Sequence, residues 1–195
     1  MTDALDSTLV AALWPARRTS RLARDAALAF GGALALAISA KVQVPFYPVP
    51  MTLQTLVVLT LGAAYGARLA AATVGLYLCE GLLGPPVFAG AVAGPAYFAG
   101  PTGGYLLGFL AAAALIGFLA ERGWDRSWPR LLAAMTLGHA VIFAFGFALL
   151  SVLVGPVNAF ALGVAPFALA TVVKTLLAAA LVGSAWGAIE RLRAA

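Results

Sequence analysis

Beyond a polar stretch at the N-terminus, the chain alternates between long apolar runs and short breaks of proline, glycine or charge. The runs cover about 24–42, 51–66, 69–84, 102–120, 131–154 and 164–189. A hydrocarbon core of about 30 Å takes about 20 helical residues to cross, with roughly 17 as a lower limit. The pattern therefore predicts six membrane helices in one domain over residues 24–190. The second and third runs are near the lower limit, and the turn at "YGAR" makes them a tight hairpin. Residues 1–23 are expected to form a cytoplasmic or interfacial tail. Its apolar patch, Leu9 to Trp14, is too short to span and is predicted to lie along the membrane interface. The tail lacks the basic, apolar, small-residue order of a cleaved signal peptide.

Composition fits this picture. Of 195 residues, 63% are hydrophobic and 10% charged, against about 25% charged in soluble domains. Six spans with short loops use the chain up, leaving no room for a separate soluble catalytic domain. The single cysteine, Cys79, excludes an internal disulfide and a cysteine-based metal site. Its neighbours Leu76 and Leu78 predict a packed thiol. A net charge of +5 would point to nucleic acid in a soluble protein; here its distribution points to topology instead. Arg17, Arg18, Arg21, Arg24, Arg68, Arg122, Arg126, Arg130, Arg191 and Arg193 all fall in the N-tail, loop 2–3, loop 4–5 or the C-tail. The positive-inside rule makes that side cytoplasmic. The expected fold is an all-α integral membrane protein, a six-helix bundle with both termini in the cytoplasm.

The opposite loops differ in kind. "VQVPFYPVPMT" and "GPPVFAGAVAGPAYFAGPTGG" hold no arginine but carry proline, glycine and Phe46, Tyr47, Phe88, Tyr97 and Phe98. Proline fixes φ and removes a donor, while glycine permits close approach. Such segments predict stiff, non-helical walls over an outward-facing pocket; an ordinary aromatic belt is the alternative.

Few polar residues stand inside the runs. Lys174 lies ten residues past Val164, roughly 15 Å into the membrane at about 1.5 Å per residue. Placing a lysine there costs about 2.5–3.5 kcal/mol, which calls for a partner. Two are available: Glu80 near the external end of the third span, or an anionic ligand group such as a carboxylate. Phe167, Thr171, Lys174 and Ala178 follow helical spacing and are predicted to share a face suited to an amphiphilic ligand. Thr52 and Gln54 are candidates for polar pocket wall. Asn158 reads as a turn residue, and His139 as an interhelical hydrogen-bonding group. One histidine and one glutamate make neither a metal site nor a hydrolytic triad, and no nucleotide-binding motif is present. No enzyme activity, cofactor or metal is expected. On the first span, Ala29, Ala33 and Ala37 recur at four-residue spacing. Such a small-residue face packs closely either within its own bundle or against another membrane subunit.

Taken together, "VPFYPVPMTLQTLVVLTLGAAYG", "EGLLGPPVFAG" and "GPTGGYLLGF" closely resemble the BioY family, the biotin-specific S components of energy-coupling-factor (ECF) transporters. The resemblance runs over roughly residues 25–180. It implies a six-helix bundle in a bacterial inner membrane, multi-pass, with an outward-facing biotin pocket. It also implies partners: a transmembrane coupling subunit and two ABC-type ATPase subunits. "PFALATVVK" matches the family's "PFLPGDLIK"-like segment, so Lys174 corresponds to its lysine. The family's acidic residue falls at Thr171, and its Pro-Gly at Leu169–Ala170. The alanine-rich face of the first helix corresponds to the family's docking face. On this resemblance Lys174 would meet the ligand carboxylate, with Thr171, Glu80 and Gln54 as polar contacts. Phe46, Tyr47, Phe88, Tyr97 and Tyr105 would form the aromatic wall. An S component for another vitamin or heterocycle, or a structural membrane subunit, is the alternative reading.

Overall fold

A computed structural model describes residues 8–15 and 20–194. Arg17 and Arg18, counted on the basic side above, lie outside the described residues.

The apolar runs become helices, with boundaries set by the glycines and prolines between them. In chain order these are α1 (Leu9–Leu13), α2 (Arg21–Lys41), α3 (Gln54–Tyr65), α4 (Ala67–Leu82), α5 (Pro95–Ala99), α6 (Gly103–Ala120), α7 (Trp128–Val154), α8 (Pro156–Gly163) and α9 (Ala168–Ala194). Between α2 and α3 the chain forms a two-residue antiparallel ladder, β1 (Gln43–Val44) against β2 (Met51–Thr52), with Gln43 opposite Thr52. The prolines of this hairpin, Pro45, Pro48 and Pro50, keep the connection out of helix, as their fixed φ requires.

Among the described residues, four helical stretches are long and apolar enough to cross a membrane: Arg21–Lys41, Gly103–Ala120, Trp128–Val154 and Pro156–Ala194. The helix α3, with 12 residues, is shorter than the predicted run 51–66, while α4 has the 16 residues of the run 69–84 but begins two residues earlier. Their partition at Gly66 has a plain cause: φ is +81° there, a conformation glycine adopts without a Cβ penalty. The loop expected between the last two runs is instead the helix α8, which begins at Gly155 with φ +80°. Asn158 is therefore a helical residue, its amide donating to the Val154 carbonyl.

Small residues bring the helices together. A Cβ at Gly108 on α6 would lie 2.8 Å from Ile142 Cα on α7, and one at Gly104 would lie 2.4 Å from the Phe145 carbonyl oxygen. Close backbone approach of this kind drives association where lipid offers no hydrophobic contrast. On α2, Ala33 is fully buried in the core, and Ala37 packs against it. A Cβ at neighbouring Gly32 would strike Thr73 of α4. This part of the small-residue face packs against the protein's own bundle, while Phe30, Leu34 and Ile38 on the flank are exposed.

Two apolar clusters divide the interior. One gathers Tyr77, Phe88, Tyr105, Phe109, Ile142 and Leu150. The other joins Leu59, Ile116, Leu131, Met135, Val182 and Trp186. The second cluster also contains Leu9 of α1, 4% exposed. The patch expected along the membrane interface is thus docked into the bundle at its first residue, and only Leu13 and Trp14 remain exposed. Cys79, expected to be packed, is exposed on α4; helical rotation buries its neighbour Leu78 instead.

Candidate functional site

Lys174 determines where the site lies. From α9 its ammonium reaches across to the start of α3 and donates to the Thr52 carbonyl oxygen at 2.6 Å. A polar chain continues from that strand. Thr52 Oγ1 donates to Gln54 Oε1 at 3.0 Å, Gln54 Nε2 donates to the Tyr77 hydroxyl at 2.7 Å, and the Tyr77 hydroxyl donates to the Val87 carbonyl at 3.1 Å. The chain links α9, β2, α3, α4 and the Gly84–Gly94 loop through side chains that are mostly buried. Polar groups removed from water at this depth are tolerated because each meets a partner.

Beside this chain lies a narrow cleft. Its polar lining is Thr52, Gln54, Thr55, Tyr97, Thr102 and Lys174; Val49, Leu106, Phe109, Ile142, Phe143 and Phe167 supply apolar wall. Tyr105 also lines it, its hydroxyl donating to the Gly163 carbonyl at 2.7 Å. A largely apolar surface with a few convergent polar groups, one of them a cation, suits an amphiphilic anion. Among the described residues no group of three His, Cys, Asp or Glu side chains comes together.

The cleft is roofed by the glycine-rich loop. Phe88 is fully buried, with its ring stacked on Tyr97 at 4.8 Å and edge-on to Tyr77 at 5.3 Å. It stands so close over Gly81 that any Cβ there would collide with it. From the end of α2, Lys41 donates to the carbonyls of Phe88 at 2.7 Å and Gly90 at 2.9 Å. The loop carbonyls at 87, 88 and 90 are therefore held by two side chains from different helices. Burial pushes the Tyr97 phenol above its ordinary range, opposed by hydrogen bonds with Thr102 and Ala89, so this cleft residue stays neutral.

Of the residues singled out from the sequence, Lys174, Gln54, Tyr97 and Tyr105 line the cleft. Phe88 supports the roof through Tyr97 and Tyr77, not as a lining residue. Phe46 is 42% exposed with its ring 6.2 Å from Phe167, and Tyr47 is 90% exposed. Glu80 lies outside the cleft lining, and no described cation is within 4.0 Å of it. The single helical face expected for Phe167, Thr171, Lys174 and Ala178 is divided. Phe167 belongs to a 3-10 turn (Ala165–Phe167) before α9, and it lines the cleft with Lys174. Ala178 is buried in the second cluster. Thr171 opens onto a separate crevice between α7 and α9, with His139 and Thr175. There His139 Nδ1 and Thr175 Oγ1 are 2.9 Å apart, the interhelical bond expected of this histidine.

Several cleft residues escaped the sequence reading: Thr55, Thr102, Phe109 and Phe143. Thr55 and Thr102 stand in first or pre-helical turns, where a hydroxyl is ordinary capping chemistry. The two phenylalanines sit in apolar runs that gave no reason to choose them. Only the proximity of Thr55 to Thr52 and Gln54 in "MTLQT" was a usable signal.

The model of the BioY family matches residues 8–191. The biotin transporter BioY of Thermotoga maritima is 34% identical over 145 residues, covering 74% of this chain and 85% of the relative. The probable biotin transporter BioY of Pyrococcus horikoshii is 38% identical over 141 residues, 72% of this chain and 83% of the relative. Among solved structures, the S-component for biotin from an ECF-type ABC transporter superposes with a TM-score of 0.73. At 24% identity that match covers 92% of this chain and 96% of the other, and it supports the fold.

Proposed function

The chain belongs to the BioY family, and on that premise we propose that it is the biotin-binding membrane subunit of a vitamin uptake transporter. The observation that carries the site assignment is the Lys174 ammonium on the wall of an otherwise apolar cleft. Its one hydrogen-bond acceptor among the described residues is the neutral Thr52 carbonyl. A carboxylate arriving there would give that cation a charge-assisted bond and offset the cost of holding it away from water. The polar ring of the ligand would meet Gln54, Tyr97 and Tyr105, and its apolar atoms Phe109, Phe143 and Phe167. Thr171 and Glu80 would act on a ligand only after a movement that brings them to the cleft. Phe46 and Tyr47, on the hairpin, and Phe88, on the roof, would act by closure.

In this reading α2, α3, α4, α6, α7 and α9 are six spans. The short α3–α4 hairpin is accommodated by local thinning or by burial against α2 and α6. Both termini lie in the cytoplasm of a bacterial inner membrane, and the cleft opens outward. The reading of a single basic side rests on where the arginines fall along the chain, in the tails and in the loops 2–3 and 4–5. The chain itself does no covalent chemistry. Uptake would be driven by a transmembrane coupling subunit and two ABC-type ATPases. Docking would use the exposed flank of α2, Phe30, Leu34 and Ile38, beside Ala29.

Isothermal titration with biotin and with biotin methyl ester tests the assignment. The acid is expected to bind tightly and the ester markedly less so. Equal affinities remove Lys174 from its role, and an absence of biotin binding defeats the function itself. Competition by other vitamins separates biotin from a related heterocycle.

A further inference from the structure

Threonines inside a helix usually return their hydroxyl proton to the carbonyl four residues back. Thr60 does so to Leu56, Thr73 to Leu69 and Thr136 to Leu132, each at 2.8 Å. Thr55 has no such outlet. It is the second residue of α3, and the residue four back, Met51, belongs to β2 and is not part of the helix. Its Oγ1 is buried, lines the cleft and has no hydrogen-bond partner among the described residues. An unpartnered buried hydroxyl costs stability, and such groups in native structures call for an explanation.

The neighbourhood supplies one. Thr55 follows by three residues Thr52, whose carbonyl receives the Lys174 ammonium, and Thr52, Thr55 and Lys174 all line the same cleft. An ammonium only donates, so the ligand group that meets it is an acceptor. We infer that Thr55 is a ligand-contacting residue whose hydroxyl donates to the same oxygen acceptor that Lys174 engages. The inference rests on the biotin reading for the identity of that acceptor, a carboxylate oxygen. It adds a second donor that does not depend on charge. Lys174 recognises the negative charge, and the Thr55 hydroxyl fixes the orientation of the oxygen.

The test is titration of biotin into purified wild-type, Thr55→Val and Thr55→Ser proteins, with the melting temperature of each ligand-free protein recorded alongside. Valine keeps the shape and removes the hydroxyl. The expected result is a Kd raised about tenfold for Thr55→Val, a Thr55→Ser protein within about threefold of wild type, and a ligand-free melting temperature unchanged or raised. In a Lys174→Met background the same Thr55→Val change is expected to cost less, because the two donors share one acceptor. A Thr55→Val protein that binds biotin like wild type overturns the inference and leaves the functional reading standing. So does a loss of affinity with a matching drop in ligand-free melting temperature that serine does not rescue, or a loss fully additive with Lys174→Met. A wild-type protein that does not bind biotin defeats both.

Discussion

At the cleft end, the side-chain bonds between elements run largely to backbone carbonyls. Lys174 reaches Thr52, Lys41 reaches Phe88 and Gly90, Tyr77 reaches Val87, and Tyr105 reaches Gly163. At the arginine end, Arg24 and Arg122 also reach backbone carbonyls, at Trp14 and Phe118, but carboxylates and aromatic rings join them as partners. Arg24 binds Asp25 at 2.7 Å, and Trp186 Nε1 donates to Asp125 at 2.6 Å while the Arg126 guanidinium lies 3.3 Å over the Trp186 ring. The difference is one of available charge. A cation held by a neutral carbonyl can exchange that partner for an anion and gain. A cation already paired with a carboxylate has little to gain from a ligand. An anionic ligand would therefore have more to gain at the cleft end than beside the paired cations of the arginine end.

The largest effect that would break this contrast is expected at Lys174. Replacing it with Met should raise the Kd for biotin by well over thirtyfold, since truncating one member of a close charge pair typically costs about 2–5 kcal/mol. Ligand-free stability should hold or rise. Titration calorimetry with a parallel melting curve reads both, and a protein that loses stability in proportion to affinity would undo the contrast.

Next comes Trp186→Phe at the other end. It leaves Asp125 Oδ2 without its donor in a carboxylate 3% exposed, at a cost of about 1–3 kcal/mol. The melting temperature should fall by several degrees with biotin affinity unchanged. The same site supplies a pH signature. Burial pushes the Asp125 carboxyl above its ordinary 3.8, partly opposed by Trp186 and Arg126. A raised acid favours the folded state while it is protonated, so its contribution is present at low pH and fades as pH rises through the folded value. From 3.8 upward, wild-type melting temperature should therefore decline, and Asp125→Asn should flatten that slope.

Smaller effects sharpen the cleft side. Tyr77→Phe breaks the link between Gln54 and the roof and should speed biotin release about three- to tenfold, near 1 kcal/mol. Lys41→Met frees two roof carbonyls at an exposed position, so release should quicken only about two- to threefold, with Lys41→Arg restoring it. Stopped-flow dissociation measures both. Release rates unaltered in both variants would mean that the roof does not retain ligand.

Much of the helical plan was legible because hydrophobic run length is a property of sequence distance alone. Glycine at the "YGAR" turn and proline in the connection between α2 and α3 also announced themselves, since backbone freedom is a property of the residue. The site was legible only where a residue was costly enough to demand a partner: Lys174 in its apolar run, and Gln54 with Thr52 at a helix start. Which aromatics line the cleft was not legible. Phe88, Tyr97 and Tyr47 look alike in a loop, yet one is buried beneath the roof, one lines the cleft and one is almost fully exposed. Their fates depend on Gly81 and on the carbonyls that Lys41 and Tyr77 hold.

The sequence by itself determined that this chain is a multi-pass membrane protein, which of its segments are apolar, and that a lysine in one of them needs an acceptor. The tertiary structure decided what that lysine faces. It turned Thr171 toward α7 and Lys174 toward α3, three residues apart on one helix, because each side chain's direction is set by the neighbour its face packs against. It also left Thr55 without the helical carbonyl that satisfies other threonines, a consequence of where α3 happens to begin.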